Sequence, residues 1–270
     1  MKKTLFILLL IIFYREGWTY SRLVSLKPSA TDMIFALGEG DKLVGVTTYC
    51  KRPSEAQKIE KVGGYSNPNV EKIISLKPDL VVLIPDATSP RVYEALQRAH
   101  IDTLVLKGKS LNDIFVDLET LGEKLGVAEK AKTLSKKLKT EIDQIKQVKK
   151  DQTTHTAYMV VQRKPLIVAG GGTFLSELLT LAGFKNLGES STLPYPRLSV
   201  ETFLQNRPDV IFDIDAAEEE DFWGSFPSLP AVRNHQVIHL PADLFVPDTH
   251  IVETLKEMLK HNSVVFKETL

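Results

Sequence analysis

The spacing of apolar residues in the middle of the chain predicts its longest helical region, at residues 110–150. Apolar positions recur there every three or four residues, which is the period of one face of an α-helix. Ser110 is an N-cap residue type, and Asp113 completes an approximate capping box. Gly126 is expected to interrupt the region, so that a short helix precedes a helix of about 35 Å that begins near Val127. A helix of that length can extend from one domain to another, although a surface helix of a single domain is the alternative.

Short apolar runs alternate with helical patterns on both sides of this region. Continuous apolar runs, such as residues 80–84, are typical of parallel strands that are buried on both faces. Strands are predicted at residues 22–26, 43–46, 80–84, 103–106, 156–161, 210–212 and 236–240. Helices are predicted at residues 30–37, 69–76, 89–99, 173–182, 199–206 and 248–260. This alternation predicts an α/β fold with mostly parallel sheets.

The two flanks of the middle region repeat one another. The segment 65–79 aligns without a gap with the segment 195–209, at a constant offset of 130 residues. Two copies of one supersecondary unit on either side of a helix predict two similar lobes. The predicted boundaries are an N-terminal lobe at residues 22–109, a connecting helix at residues 110–150 and a C-terminal lobe at residues 151–270.

The repeat matches one tyrosine and one glutamate in each copy, Tyr65 with Tyr195 and Glu71 with Glu201. Each glutamate falls in the first turn of a predicted helix, where the helix dipole stabilises a carboxylate by about 0.3–1 kcal/mol. Helix stabilisation alone would account for the pair. The alternative is that each lobe presents one acidic side chain to a basic partner with two-fold symmetry. The tyrosines precede these helices, at the loop edge where open α/β sheets bind ligands.

Composition narrows the classes of function. The 270 residues include 34 Lys and Arg and 34 Asp and Glu, and a formal charge of zero argues against a nucleic-acid partner. The single cysteine, Cys50, excludes an internal disulfide and a multi-cysteine metal site. His235 and His239 have no accompanying acid, so no metal site is predicted. The glycine run at residues 170–172 lacks the lysine of a P-loop, and Gly171 is therefore predicted to form a turn close to a ligand.

Residues 1–21 have the pattern of a secretory signal peptide. Lys2 and Lys3 precede an apolar run at residues 4–14, which is too short to span a membrane. An uncleaved membrane anchor is the alternative. Export would place the mature chain in the periplasm, where a protein with one cysteine needs no oxidative folding.

Six segments carry a resemblance to a known family. They are RLVSLKPSATD at 22–32, LVGVTTY at 43–49, NVEKI at 69–73, LKPDLV at 76–81, GGGTFLSELL at 170–179 and YPRLSVE at 195–201. Through them the chain resembles the periplasmic substrate-binding proteins with a helical backbone, the helical-backbone metal receptors of cluster A or class III. These proteins serve ABC importers of cobalamin, haem and ferric siderophores. Within the family, the chain is most similar to the components that bind cobalamin (vitamin B12).

The resemblance implies two Rossmann-like lobes joined by one long backbone helix, with the ligand held between the lobes and little hinge motion. It implies a monomer without catalytic activity or a permanent cofactor, which delivers cobalamin or a related corrinoid to a permease dimer in the inner membrane. A haem or ferric-siderophore binder of the same fold is one alternative. An exported α/β enzyme is another, because a fold does not fix a function.

The resemblance also implies roles for particular residues. Aromatic side chains from both lobes line the cleft in the cobalamin binders, and a later loop contributes two further contacts. The corresponding residues here are Tyr49, Tyr65, Tyr195, Asp243 and Phe245. Glu71 and Glu201 correspond to the glutamates that dock onto arginines of the permease. The segment 246–248 lacks an expected basic residue, and the sequence indicates no basic cleft of the kind that a ferric siderophore requires.

Overall fold

The computed structural model describes residues 20–84, 88–147, 155–215 and 222–262. The predicted signal peptide lies outside the described residues, except for its last two positions, as does the end of the predicted connecting helix. Within the described ranges, no helix combines the length and the apolar character that crossing a membrane requires.

The N-terminal half forms a parallel sheet with the strand order β2-β1-β3-β4 among the described residues. Its strands are β1 (Leu23–Ser25), β2 (Leu43–Val46), β3 (Leu80–Leu83) and β4 (Asp102–Val105). Its helices are α1 (Pro28–Ala36), α2 (Val70–Ser75) and α3 (Pro90–Arg98). All four residues of the central strand β3 are buried, as its continuous apolar run predicted.

The middle of the chain is an antiparallel pair of helices, α4 (Leu111–Lys124) and α5 (Ala128–Gln147). Ser110 and Asp113 form the predicted capping box, and Gly126 turns the chain at a φ of 77°. The Leu111 N–H donates to Glu177 in the C-terminal half, so α4 begins there and runs back toward the N-terminal half. The helix α5 then returns over its 20 residues, or about 30 Å. The predicted connecting region is therefore two helices, of which α5 carries the chain from lobe to lobe.

The C-terminal half repeats the sheet of the first half. Its strands are β5 (His155–Gln162), β6 (Ile167–Val168), β7 (Phe184–Asn186), β8 (Val210–Asp213) and β9 (Val237–His239). Its helices are α6 (Phe174–Leu181), α7 (Val200–Asn206), α8 (Pro230–Arg233) and α9 (Ile251–Leu259). The parallel strands β7, β5, β8 and β9 take the positions of β2, β1, β3 and β4, and β6 adds an antiparallel strand beside β5.

Matching aspartates fix the start of the first strand in each half. The Asp79 carboxylate accepts a hydrogen bond from the Arg22 N–H (3.0 Å), immediately before β1. The Asp209 carboxylate accepts the equivalent bond from the Thr156 N–H (2.8 Å) in β5. Because Asp79 and Asp209 are 130 residues apart, the offset read from the sequence is also the offset of the structural repeat.

A continuous apolar core joins the two lobes through the helix pair. One cluster of buried side chains extends from Leu23 in β1, through Leu118 in α4 and Ile142 in α5, to Leu255 in α9. Side chains that alternate with these along the strands, such as Val24, form separate clusters on the other face of each sheet. Each sheet is therefore covered on both faces, as in other α/β folds.

Candidate ligand-binding cleft between the lobes

A cleft of about 570 Å³ lies between the two lobes. Its N-terminal wall follows β1 and β2, and its C-terminal wall follows β9, so both walls lie at the carboxyl ends of parallel strands. The volume is within the range of small-molecule sites. The lining residues are Pro28, Tyr49, Lys51, Arg52, Pro241, Ala242, Asp243, Val246 and Asp248.

Two of the predicted tyrosines form an exposed aromatic pair at this cleft. Tyr49 lines it and is 56% exposed; Tyr65 is 39% exposed and is not among the described lining residues, so its contact with a ligand stays a prediction. Their ring centroids are 5.2 Å apart, with an interplanar angle of 53°. The loop that carries Tyr49 is anchored by the buried Cys50, whose Sγ lies 3.2 Å from the Thr31 hydroxyl. This anchored loop and the separate loop that carries Tyr65 thus present two large rings to solvent, and exposed apolar patches often mark binding sites.

The third predicted tyrosine, Tyr195, lies on a C-terminal loop and is 51% exposed. Partial burial raises the pKa of its phenol. The loop lies against the glycine run, and a Cβ on Gly171 would be 2.5 Å from the Glu189 carbonyl oxygen. Close backbone packing is therefore enough to explain a glycine at this position. Tyr195 and Gly171 are not among the described residues that line the 570 Å³ cleft, and their contact with a ligand stays a prediction.

The predicted contacts in the later loop need one correction. Asp243 lines the cleft, but Phe245 is only 6% exposed and packs in the core that joins the lobes. Both belong to a 3-10 helix at Ala242–Phe245. Successive side chains of such a short helix point in different directions, so Phe245 anchors the loop while Asp243 faces the cleft.

Two basic residues that the sequence did not single out also line the cleft, Lys51 and Arg52. The sequence had indicated no basic cleft, and these two positions were not recognised because they lie in an irregular segment without a recognisable motif. The Arg52 Nη2 donates to Asp248 Oδ2 at 3.0 Å, and Nε lies 3.8 Å from Asp243 Oδ2. Acidic groups from the opposite lobe therefore balance the charge of Arg52.

A second interlobe contact lies beside the Arg52 ion pair. Asp32, in α1, is buried and accepts hydrogen bonds from Thr249 through the N–H (3.0 Å) and the hydroxyl. Its other oxygen is 2.8 Å from His250 Nδ1. Asp32, Asp248 and His250 have ligand atoms within 4.8 Å of one another, a spacing that suits a metal ion. Their oxygens already accept bonds from Arg52 and Thr249, so the group is better described as an ion-pair network.

This interlobe network shifts the pKa values of its members. Burial, followed by the negative charge of Asp32, raises the pKa of Asp248 to about 7, against the attraction of Arg52. The hydrogen bond with Asp32 raises the pKa of His250, against the effect of burial. Burial opposes ionisation of Asp32, but the bonds from His250 and Thr249 outweigh it and lower the Asp32 pKa. The network thus favours a charged Asp32 facing a protonated His250.

The two glutamates of the repeat are exposed in the first turns of α2 and α7. Asn69 and Ser199 are the N-caps of these helices, and each side chain accepts a bond from the backbone N–H three residues later. The pKa of Glu201 is lowered by its own backbone N–H and by Ser199. The predicted placement of Glu71 and Glu201 is confirmed, and their docking role stays a prediction.

Two α/β lobes with a cleft between them and a connecting helix are the architecture that the resemblance to substrate-binding proteins implied. The chain belongs to the periplasmic binding protein family, because the model of that family matches residues 23–244. The resemblance found in the sequence is thereby confirmed.

Several relatives are named for vitamin B12. The chain is 30% identical over 244 residues to the vitamin B12-binding protein of Vibrio parahaemolyticus. The alignment covers 89% of this chain and 88% of that protein. It is 33% identical over 250 residues to the uncharacterized ABC transporter substrate-binding lipoprotein YvrC of Bacillus subtilis, covering 88% and 78% of the two chains.

Solved structures support the same fold. The periplasmic vitamin B12 binding protein BtuF of Vibrio cholerae matches with a TM-score of 0.80 and 28% identity, over 92% of this chain and 99% of that chain. The periplasmic haem-binding protein RhuT of a Roseiflexus species matches with a TM-score of 0.82, over 91% and 98% of the two chains. At 22% identity, this second similarity shows the fold alone.

Proposed function

We propose that the protein captures cobalamin or a related corrinoid in the cleft between its lobes and delivers it to an ABC importer, without catalysis. The observation that carries the proposal is the exposed ring of Tyr49, which lines that cleft and packs against the exposed ring of Tyr65. A tyrosine ring offers a flat apolar face and a polar tip, which suits a large ring system with amide side chains. The relatives named for vitamin B12, at 30% identity, support the same ligand.

Delivery requires a contact with the membrane permease, for which Glu71 and Glu201 are the proposed sites. They are exposed, and they occupy equivalent positions in two equivalent helices, one in each lobe. Two acids related in this way suit two equivalent basic sites on a symmetric dimer. The signal-peptide pattern at residues 1–21 supports a periplasmic location for this exchange.

Haem is the second candidate ligand. The exposed phenol of Tyr49 favours it, because a tyrosine oxygen can serve as an axial ligand of haem iron. The haem-binding proteins among the solved structures share the fold. Haem and corrinoid differ in colour, so one optical experiment separates them.

The test is an absorption spectrum of the protein after incubation with cyanocobalamin or with hemin and removal of free ligand by gel filtration. We expect corrin bands to elute with the protein at one ligand per chain. The Tyr49→Ala, Tyr65→Ala double variant should retain less corrinoid at the same concentration. Stoichiometric porphyrin bands with no retained corrin would overturn the proposal in favour of haem.

A further inference from the structure

One charged group in the cleft has no counter-ion. Lys51 lines the cleft and is exposed, and within the described part of the chain its ammonium makes no ion pair or hydrogen bond. The neighbouring Arg52 differs, since its guanidinium contacts Asp248 (3.0 Å) and Asp243 (3.8 Å). These four, two basic and two acidic, are the charged residues that line the cleft among the described ones; both carboxylates contact Arg52, so the Lys51 ammonium has no direct counter-ion.

The surroundings of Lys51 are mostly apolar. Proline, alanine and valine side chains and the Tyr49 ring make up the rest of the lining. A ligand that fills the cleft removes water from the ammonium, and burying a charge without a partner is costly. Amide groups alone return only part of the lost hydration. A ligand that places an anionic oxygen beside Lys51 is therefore more complementary to this wall than a ligand that offers only neutral groups.

We propose that Lys51 binds an anionic phosphate of the ligand and makes the cleft selective for corrinoids that carry one. This inference rests on the proposed function. Lysine suits the task because its ammonium acts as a compact point charge toward phosphate. Cobalamin carries one phosphodiester, in its nucleotide loop, and cobinamide has none. A porphyrin offers carboxylates instead, which are a second source of the same anionic chemistry.

The test measures affinity by titration calorimetry for wild type and Lys51→Gln with cobalamin, cobinamide phosphate, cobinamide and hemin. Cobinamide and cobinamide phosphate differ only in the phosphate, so this pair isolates its contribution. We expect Lys51→Gln to weaken binding of cobalamin and cobinamide phosphate about tenfold, the scale of one charge-assisted hydrogen bond. Binding of cobinamide should change by less than about twofold, since that ligand brings no partner for the lysine.

Two further variants keep the result interpretable. Lys136→Gln removes an exposed lysine from α5 and should leave all affinities unchanged. Lys51→Arg keeps the positive charge and should restore most of the cobalamin affinity, which a purely steric role would not predict. Unchanged thermal unfolding of Lys51→Gln shows that the lost affinity does not come from misfolding.

The outcomes separate this inference from the proposed function. Tight cobalamin binding that is equal in wild type and Lys51→Gln overturns the role of Lys51 and leaves the proposed function standing. Equal weakening of cobinamide and cobinamide phosphate overturns the phosphate assignment. Binding of hemin alone, weakened by Lys51→Gln, would assign the lysine to a porphyrin carboxylate and overturn both.

Discussion

The interlobe network gives a sharp prediction for the variant Asp32→Asn. Asp32 lies in α1, and its carboxylate accepts hydrogen bonds from Thr249 and lies 2.8 Å from His250 Nδ1, both more than 200 residues away. Asparagine has nearly the same shape. Its amide oxygen can still accept a bond from Thr249, but its neutral NH₂ group cannot pair with a protonated His250. The change therefore removes the charge and leaves the packing in place.

The expected loss of stability follows from the burial of the two partners. Removing one partner of a fully buried ion pair costs about 3–5 kcal/mol. The His250 side chain is 40% exposed although its Nδ1 atom is buried, so the ring can lose its charge to solvent through its exposed edge once Asp32 is neutral. We therefore expect a smaller loss, about 2–3 kcal/mol, made up of one charge-assisted hydrogen bond and part of another.

The pH dependence of stability tests the same network. Asp248 has a pKa raised from 3.8 to about 7, so between these values the folded protein holds a proton that the unfolded chain has lost. His250 has a pKa raised above its usual 6.5, so the difference in bound protons between the folded and the unfolded chain extends above pH 6.5. The free energy of unfolding should therefore fall as pH rises from about 4 through 7. Asp32, with its lowered pKa, has the opposite sign and costs stability only as pH falls below 3.8.

Urea unfolding at several pH values measures both effects. In Asp32→Asn, the loss at neutral pH should be about 2–3 kcal/mol, and the pH slope should flatten because Asp32 contributes to the raised pKa values of Asp248 and His250. The control is Asp41→Asn, at an exposed position, which should change stability by less than about 0.5 kcal/mol. A change that small in Asp32→Asn, with an unaltered pH slope, would refute the role assigned to the network.

Two further predictions concern the ligand and the importer. Replacing Tyr49, Tyr65 or Tyr195 with Ala should weaken corrinoid binding by about 1–3 kcal/mol each in titration calorimetry, the scale of a buried aromatic contact. A tyrosine whose removal leaves the affinity unchanged does not belong to the site. Glu71→Gln and Glu201→Gln should leave ligand binding intact but weaken association with a reconstituted importer. The double variant should lose the most affinity for the importer, and added salt should weaken association of the wild type. Full uptake with the double variant would show that these glutamates only stabilise their helices.

Local sequence was enough to predict the repeated architecture. The residues before each Pro-Asp pair, Lys77 and Arg207, both adopt left-handed conformations, with φ of 49° and 46°. Similar local sequences thus produced the same helix ending twice. The break at Gly126 and the N-caps Asn69 and Ser199 were also visible, because each depends on a few neighbouring residues.

Features that depend on packing between distant segments were not visible in the sequence. Asp32 meets His250 only after both lobes have folded against the helix pair, and no pattern in the sequence links the two residues. The strand β7 has only three residues, and its pairing with β5 defines it more than its composition does. The burial of Phe245 was missed for the same reason, since it depends on how the 3-10 helix at Ala242–Phe245 meets the core.

A crystal structure of the protein grown with cyanocobalamin tests the central claim most directly. The account predicts one corrinoid between the lobes, in contact with Tyr49 and the segment 241–248, with its phosphate within hydrogen-bond reach of the Lys51 ammonium. An empty cleft at saturating cobalamin, or a corrinoid bound elsewhere on the surface, would contradict it.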